Sequence, residues 1–90
     1  MKTYYYNGEK VRTSNNQYTH AVVIGKTVIA CCSRYDLAIK RAKSEYSYRL
    51  EQIQSLERSY NENPSEDLRN YIENRKNLLE TIKVVELEIK

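Results

Sequence analysis

The sequence predicts an α+β fold in which an N-terminal antiparallel four-stranded meander precedes a long antiparallel helical hairpin. Two-residue turn signals separate short alternating segments over residues 1–32. Apolar residues then recur at steps of three and four over residues 33–90. The tetrapeptide Asn63-Pro64-Ser65-Glu66 interrupts this repeat with a helix-start signal. The chain of 90 residues is short enough that we expect one domain, 1–90.

Three turns organise the predicted meander. Asn7-Gly8 is the strongest two-residue hairpin signal, and Asn15-Asn16 and Gly25-Lys26 mark the other two turns. Two-residue loops set the register, which predicts the pairs Tyr6–Glu9, Ser14–Gln17 and Ile24–Thr27. The third and fourth strands are apolar on both faces, so both faces need a cover. Because one helical layer covers only one face, we expect a second subunit and hence a homodimer.

Local signals place the two helices of the hairpin. Ser33 followed by Asp36 resembles a capping box, which predicts a helix over about residues 34–60. Asn63 as N-cap with Pro64 at the first helical position predicts a second helix from residue 64 to near the C-terminus. The break between them is short, so the helices are expected to run antiparallel.

The heptad repeat of each helix has one polar exception. The repeat positions are Tyr35, Ile39, Ala42, Tyr46, Arg49, Ile53, Leu56 and Tyr60 in the first helix, and Leu68, Tyr71, Arg75, Leu78, Ile82, Val85 and Ile89 in the second. Folding the chain at residues 61–63 places Arg49 opposite Arg75 and gives apolar pairs that include Ala42–Ile82, Ile39–Val85 and Tyr35–Ile89. Beside this seam, an additional apolar flank is expected to dock on the sheet or on another subunit: Leu50, Ile72 and Leu79.

Two guanidinium groups in one apolar layer need an anionic partner or an exit to water. Glu45 lies one helical turn before Arg49 and can pair with it, or both side chains can extend their charged ends to solvent. An acidic residue of a protein partner is the second option. A bound phosphate or carboxylate is the third, because the arginine fork suits both groups.

Charge and aromatic content indicate a binding surface in the N-terminal half. The net charge is +3, and all nine aromatic residues are tyrosines. Basic, hydroxyl and aromatic side chains share one predicted sheet face, a pattern that suits nucleic-acid backbones or an acidic protein as well as an ordinary solvated edge. The candidate residues are Tyr5, Lys10, Arg12, Ser14, Gln17 and Thr19. A second basic cluster begins the first helix: Arg34, Lys40, Arg41 and Lys43.

The sequence offers no catalytic constellation, so we expect neither an enzyme nor a cofactor. The single histidine, His20, can neighbour Cys31 across two strands, but two groups do not make a metal site or an oriented nucleophile. Cys31 and Cys32 are adjacent and point to opposite faces of a strand, so a disulfide between them is not expected. With no leader pattern and no membrane-length apolar run, we expect the cytoplasm.

The run KVRTSNNQYTHAVVI, followed by a strand and by SRYDLAIKRAKSE, resembles small proteins of phages and mobile elements over about residues 9–45. Short length, missing catalytic groups and many tyrosines are similar to phage anti-defence proteins, including anti-CRISPRs. The resemblance implies an inhibitor that occludes a host protein or a protein–nucleic-acid complex in the host cytoplasm. Two alternatives stay open: a small nucleic-acid-binding or regulatory protein that uses its basic half, and a sponge for an anionic nucleotide.

Overall fold

The computed structural model describes residues 1–89, which form six strands and two helices. In chain order the elements are β1 Lys2–Tyr6, β2 Glu9–Ser14, β3 His20–Ile24, β4 Thr27–Cys32, α1 Tyr35–Glu62, α2 Glu66–Leu79, β5 Lys83–Glu86 and β6 Glu88–Ile89. All paired strands are antiparallel, which confirms the predicted α+β class with four strands followed by two helices. Among these residues, no helix is both long and apolar enough to cross a membrane.

The four N-terminal strands do not form one meander, which corrects the prediction. They form two hairpins, each the larger part of a three-stranded sheet, with orders β2–β1–β6 and β4–β3–β5. The predicted Ser14–Gln17 turn is absent because side chains bind the connecting backbone instead. The Tyr4 hydroxyl donates to the Asn16 carbonyl (2.7 Å) and accepts from the Tyr18 N–H (3.0 Å). The Ser14 hydroxyl accepts from the Asn16 N–H (3.1 Å).

The last residues of the described chain are strands rather than helix, which is the largest error of the sequence prediction. Helix α2 ends at Leu79, and Thr81 then donates its hydroxyl to the Leu78 carbonyl and accepts from the Gly25 N–H. β5 pairs with β3, and β6 pairs with β1. Since Leu87 donates to the Thr19 carbonyl between them, the C-terminal segment joins the two sheets. The predicted helix–helix layers Ala42–Ile82, Ile39–Val85 and Tyr35–Ile89 are therefore wrong.

The other two predicted turns form hairpins with the predicted register, in which Tyr6 lies opposite Glu9 and Ile24 opposite Thr27. However, the second strand of each hairpin, β2 or β4, carries a bulge. In the first hairpin, Tyr5 lies opposite Lys10 but Tyr4 lies opposite Arg12. Residues directly opposite each other share a face of the sheet. Arg12 therefore lies with Tyr4, and the predicted single face containing Tyr5, Lys10, Arg12 and Ser14 is wrong.

The helix caps differ from the predicted ones by one or two residues. Arg34, rather than Ser33, is the N-cap of α1, and no side chain caps it. Asn63 ends α1, where its N–H donates to the Ser59 carbonyl. Ser65, rather than Asn63, is the N-cap of α2, and its hydroxyl accepts from the Leu68 N–H at 3.1 Å. The Ser65 bond is the stronger start signal because it satisfies an otherwise unpaired helical N–H.

The core has two parts along an elongated molecule of 51 × 23 × 17 Å. The first half of α1 packs on the β4–β3–β5 sheet, where the buried residues are Ala21, Val22, Val23, Ile24 and Ala38. Tyr4 of β1, in the other sheet, is also fully buried. β3 is thus buried within one chain, so the sequence argument for a second subunit covering β3 no longer holds. A homodimer stays a prediction.

The second part of the core lies between α1 and α2. Its buried residues are Ile53, Ile72 and Leu79, and Leu50 packs against them. The flank that was expected to dock elsewhere therefore joins the hairpin seam, in which the predicted positions Ile53, Leu56, Tyr60 and Leu68 also pack. Tyr71, which the prediction placed in the seam, is 45% exposed. The seam of α2 is rotated by about one residue, because burying Ile72 and Leu79 removes more purely apolar surface from water.

Candidate partner-binding surfaces

A groove on one side of the helical hairpin brings the two predicted arginines together. We call it the arginine groove; its volume is about 350 Å³, and it is lined by Arg49, Gln52, Ile53, Ser55, Leu56, Tyr71, Arg75 and Leu78. None of these lining residues is acidic. The groove thus combines an apolar floor with polar donors and two positive charges, a combination typical of sites for ligands with a negative group.

Arg75 is held on the rim by a tyrosine of its own helix. Its Nε and Nη2 both donate to the Tyr71 hydroxyl, at 3.0 and 2.7 Å. The guanidinium carbon also lies 5.0 Å from the centre of the Tyr71 ring. The two residues are four apart on a helix, where side chains are neighbours. This contact fixes the guanidinium without neutralising its charge.

Arg49 is held less completely. Its Nε lies 3.5 Å from Oε2 of Glu45, whose Oε1 is 3.1 Å from Arg41 Nη2. One carboxylate therefore serves two guanidinium groups. The Arg49 Nε is buried and has no hydrogen-bond partner, although 28% of the side chain is exposed. The contact between Arg49 and Glu45 is therefore an ion pair without hydrogen-bond geometry, and it balances the Arg49 charge only in part.

The contacts of Arg49 and Arg75 can be compared with the three predicted partners for this pair. Arg49 and Arg75 line the same groove, as the hairpin predicts, and Glu45 is beside Arg49 as the first alternative requires. The role of the Tyr71 hydroxyl was missed. The four-residue spacing of Tyr71 and Arg75 was the signal that could have revealed it. A partner's acid and a small anion stay predictions.

A second concave surface lies between the two hairpins. We call it the edge cleft; it has a volume of about 250 Å³ and is lined by Tyr6, Glu9, Lys10, Val11 and Arg12 together with Lys26, Val28, Ile29, Ala30 and Cys31. Two of the predicted surface residues, Lys10 and Arg12, lie here. Lys26 was not among the predicted binding residues. Lys26 lies in the turn between β3 and β4, and β4 does not pair with β2, the strand that carries Lys10 and Arg12. The sequence therefore gave no indication that Lys26 lies near them.

Arg12 is positioned by a small aromatic cluster. Its Nη1 donates to the Tyr18 hydroxyl at 3.4 Å, and its guanidinium carbon lies 5.5 Å from the centre of the Tyr18 ring. The Tyr4 and Tyr18 rings meet edge to face, 5.4 Å apart. Hydrogen bonds from Asn16, and then from Arg12, lower the pKa of Tyr18. The same Tyr18 hydrogen bond raises the pKa of Arg12.

The remaining predicted surface residues do not join the edge cleft. Tyr5 is half-buried on β1, and the Ser14 hydroxyl binds the Asn16 N–H. Gln17 is exposed between the hairpins, and the Thr19 hydroxyl lies 2.8 Å from His20 Nδ1. Three further predicted residues are exposed at the start of α1. The N-cap Arg34 is 3.4 Å from Asp36, and Arg41 pairs with Glu45. The third is Lys40. The predicted surface is therefore several separate patches.

The cysteine and histidine side chains are placed as packing residues. His20 lies opposite Cys32 rather than Cys31, which corrects the predicted neighbour, and its ring meets Tyr35 at 5.3 Å. Both cysteines are free. Burial raises the pKa of the Cys31 thiol, which disfavours the nucleophilic thiolate. Within residues 1–89, no three His, Cys, Asp or Glu side chains are grouped to hold a metal ion.

Comparisons with known proteins give no match to a family model, to a curated protein or to a solved structure. The arginine groove and the edge cleft are the two surfaces whose chemistry bears on function. Of the two, the arginine groove has the larger volume and a buried donor without a hydrogen-bond partner, and unlike the edge cleft it has no acidic lining residue.

Proposed function

We propose that the protein is a non-enzymatic binding protein that holds an acidic group of a partner protein in the arginine groove. The observation that carries the proposal is the buried Arg49 Nε, which has no hydrogen-bond partner in a groove without acidic lining residues. Glu45 is shared with Arg41, so the pair Arg49 and Arg75 keeps an excess of positive charge. A carboxylate supplied by a partner would complete the hydrogen bonds and balance this charge.

The rest of the groove favours a protein partner over a bare ion. Tyr71 and Leu78 are 45% and 37% exposed, and Ile53 and Leu56 form the floor. Tyrosine and arginine are enriched among the residues that dominate protein–protein binding energy. The tyrosine–arginine contact is already formed, so binding orders few side chains and loses little conformational entropy.

We also propose, as a narrower form, that the partner is a host defence protein or complex and that binding occludes its working surface. The support is the resemblance of residues 9–45 to small phage proteins, together with two concave surfaces that a partner can contact. In this form the protein acts in the host cell cytoplasm, as an inhibitor and as a homodimer. Occlusion requires only contact between the two proteins.

A capture experiment with charge-matched variants tests the proposal. Arg49→Gln with Arg75→Gln removes both cations of the groove. Arg58→Gln with Arg69→Gln removes two exposed cations from the same helices and leaves the groove unchanged. Each tagged protein is incubated with host lysate, and retained proteins are identified by mass spectrometry.

We expect the wild type and the Arg58/Arg69 variant to retain the same protein, and the Arg49/Arg75 variant to lose it. Equal retention by all three folded proteins would show that the groove is not the binding site. Retention of nucleic acid alone, weakened steeply by salt, would favour the nucleic-acid alternative. A large rise in melting temperature with a nucleotide such as ATP, with no protein retained, would favour the nucleotide sponge.

A further inference from the structure

We propose that the edge cleft is a second binding site, which takes a short, extended, acidic polypeptide segment. The first support is the sheet topology. β2 and β4 are outer strands, each with a neighbour on one side only. The outer N–H and C=O groups of such strands can form ladder bonds with an added strand. Both outer strands contribute residues to one cleft, so a single segment can reach either edge.

The lining of the cleft specifies the chemistry of this segment. Lys10, Arg12 and Lys26 form a basic rim with one acidic residue, Glu9. The floor is apolar and half-buried, and consists of Val11, Val28, Ile29 and Ala30. Because side chains alternate along a strand, an extended segment can direct small apolar side chains to the floor and acidic ones to the rim. Alternating acidic and β-branched residues therefore fit best.

The two bulges limit the segment to a few residues. On β2, Lys10 pairs with Tyr5 and Arg12 pairs with Tyr4, which leaves Val11 without a cross-strand partner. On β4, Val28 pairs with Val23 and Ala30 pairs with Val22, which leaves Ile29 without one. Bulges bend an edge and prevent long, indiscriminate pairing with other sheets. Both bulged residues line the cleft, where they widen the apolar floor. Regular pairing geometry is confined to stretches of two or three residues on either side of each bulge.

The same lining argues against single-stranded nucleic acid as the occupant. Nucleic acids of this kind stack their bases on aromatic side chains. Of the lining residues only Tyr6 is aromatic. Tyr18, which lies nearby, already contacts Tyr4 and Arg12 through its ring. The cleft thus has positive charge without a pair of free stacking platforms.

The test uses a fluorescently labelled eight-residue peptide of alternating glutamate and valine. Three comparison ligands are an alternating lysine–valine peptide, a glutamate–valine peptide with two internal prolines, and oligothymidylate of matched charge. Two triple variants are compared with the wild type. The cleft variant combines Lys10→Glu, Arg12→Glu and Lys26→Glu. The helix control combines Lys43→Glu, Arg58→Glu and Arg69→Glu, at residues that are exposed on the helices. Binding is measured by anisotropy, and amide exchange by mass spectrometry.

We expect the glutamate–valine peptide to bind the wild type and the helix control equally, and the cleft variant at least tenfold more weakly. The proline peptide should also lose tenfold, since it lacks ladder donors, and exchange should slow in β2 or β4. If Arg12→Glu prevents folding through loss of the Tyr18 contact, Lys10→Glu with Lys26→Glu provides the same comparison. Equal or tighter binding of either the lysine–valine peptide or oligothymidylate overturns the proposal, as does unchanged exchange in both edge strands. Arg49→Gln with Arg75→Gln should leave this affinity unchanged, so the cleft and the groove are tested separately.

Discussion

Replacing Tyr4 with phenylalanine tests why the four N-terminal strands form two hairpins rather than one meander. Tyr4 is fully buried, and its hydroxyl bonds both the Asn16 carbonyl and the Tyr18 N–H. The substitution keeps the ring and removes only these two hydrogen bonds. Any loss of stability therefore measures how firmly the connection between the hairpins is held.

The expected size of the effect follows from the exposure of the two groups left behind. Asn16 is exposed, so water can replace the bond to its carbonyl, whereas Tyr18 is only partly exposed and its N–H is less well hydrated. A hydrogen bond contributes about 0.5–1.5 kcal/mol, and an unsatisfied buried group costs about 1–3 kcal/mol. We expect Tyr4→Phe to lower the free energy of unfolding by about 2 kcal/mol. For a chain of this size that corresponds to a melting temperature lower by about 8–16 °C.

Urea unfolding followed by circular dichroism measures this difference, with Tyr48→Phe as the control. Tyr48 is 61% exposed on α1, so its substitution should change the free energy by less than about 0.5 kcal/mol. If Tyr4→Phe is no more destabilising than Tyr48→Phe, the Tyr4 hydroxyl does not hold the two hairpins together and the reasoning is refuted.

Three further experiments test other parts of the account. Ser65→Ala should lower the free energy of unfolding by about 1 kcal/mol and Asn63→Ala by less than about 0.5 kcal/mol, measured by urea unfolding; the reverse order would place the cap at Asn63. Arg49→Leu with Arg75→Leu should leave stability unchanged or raise it while abolishing partner retention, and strong destabilisation would assign the pair a structural role. In a Cys32→Ser background, Cys31 should react with iodoacetamide at pH 8 more slowly than a free thiol, and an equal or faster rate contradicts its burial. Burial raises the pKa of Cys31, so the folded protein favours the thiol over the thiolate. The resulting contribution to the free energy of unfolding is fully present at pH values below the Cys31 pKa of the unfolded chain. It is lost as the pH rises through the Cys31 pKa of the folded protein.

The turns and the arginine pair were accessible from sequence because their signals are local. Asn7 and Gly8 both have positive φ, 53° and 79°, as the Asn-Gly pair predicts for a tight hairpin. Arg49 and Arg75 each interrupt a strong heptad repeat, and the short connection between the helices brings them to one groove. Spacing along a helix and the type of a turn depend on neighbouring residues, so one sequence suffices for both.

The C-terminal strands were missed because their apolar spacing fits two periods. Ile82, Val85 and Ile89 continue the helical repeat, yet the same segment is rich in β-branched residues that favour strands. The choice is made by β3, whose free edge pairs with β5, and a pairing partner so distant in sequence leaves no local signal. The bulges at Val11 and Ile29 were missed for a similar reason, since no glycine marks them. The edge cleft depends on both features and could not be predicted.

The central claim is that the buried Arg49 Nε–H receives an acceptor from an acidic partner. Proton–nitrogen NMR of the arginine side chains, assigned with Arg49→Lys, observes this group before and after addition of the partner retained in the capture experiment. We expect the Arg49 Nε–H resonance to move downfield and its exchange with water to slow on binding, while Arg58 is unchanged. Tight binding of the partner with the Arg49 resonance unmoved would contradict the claim.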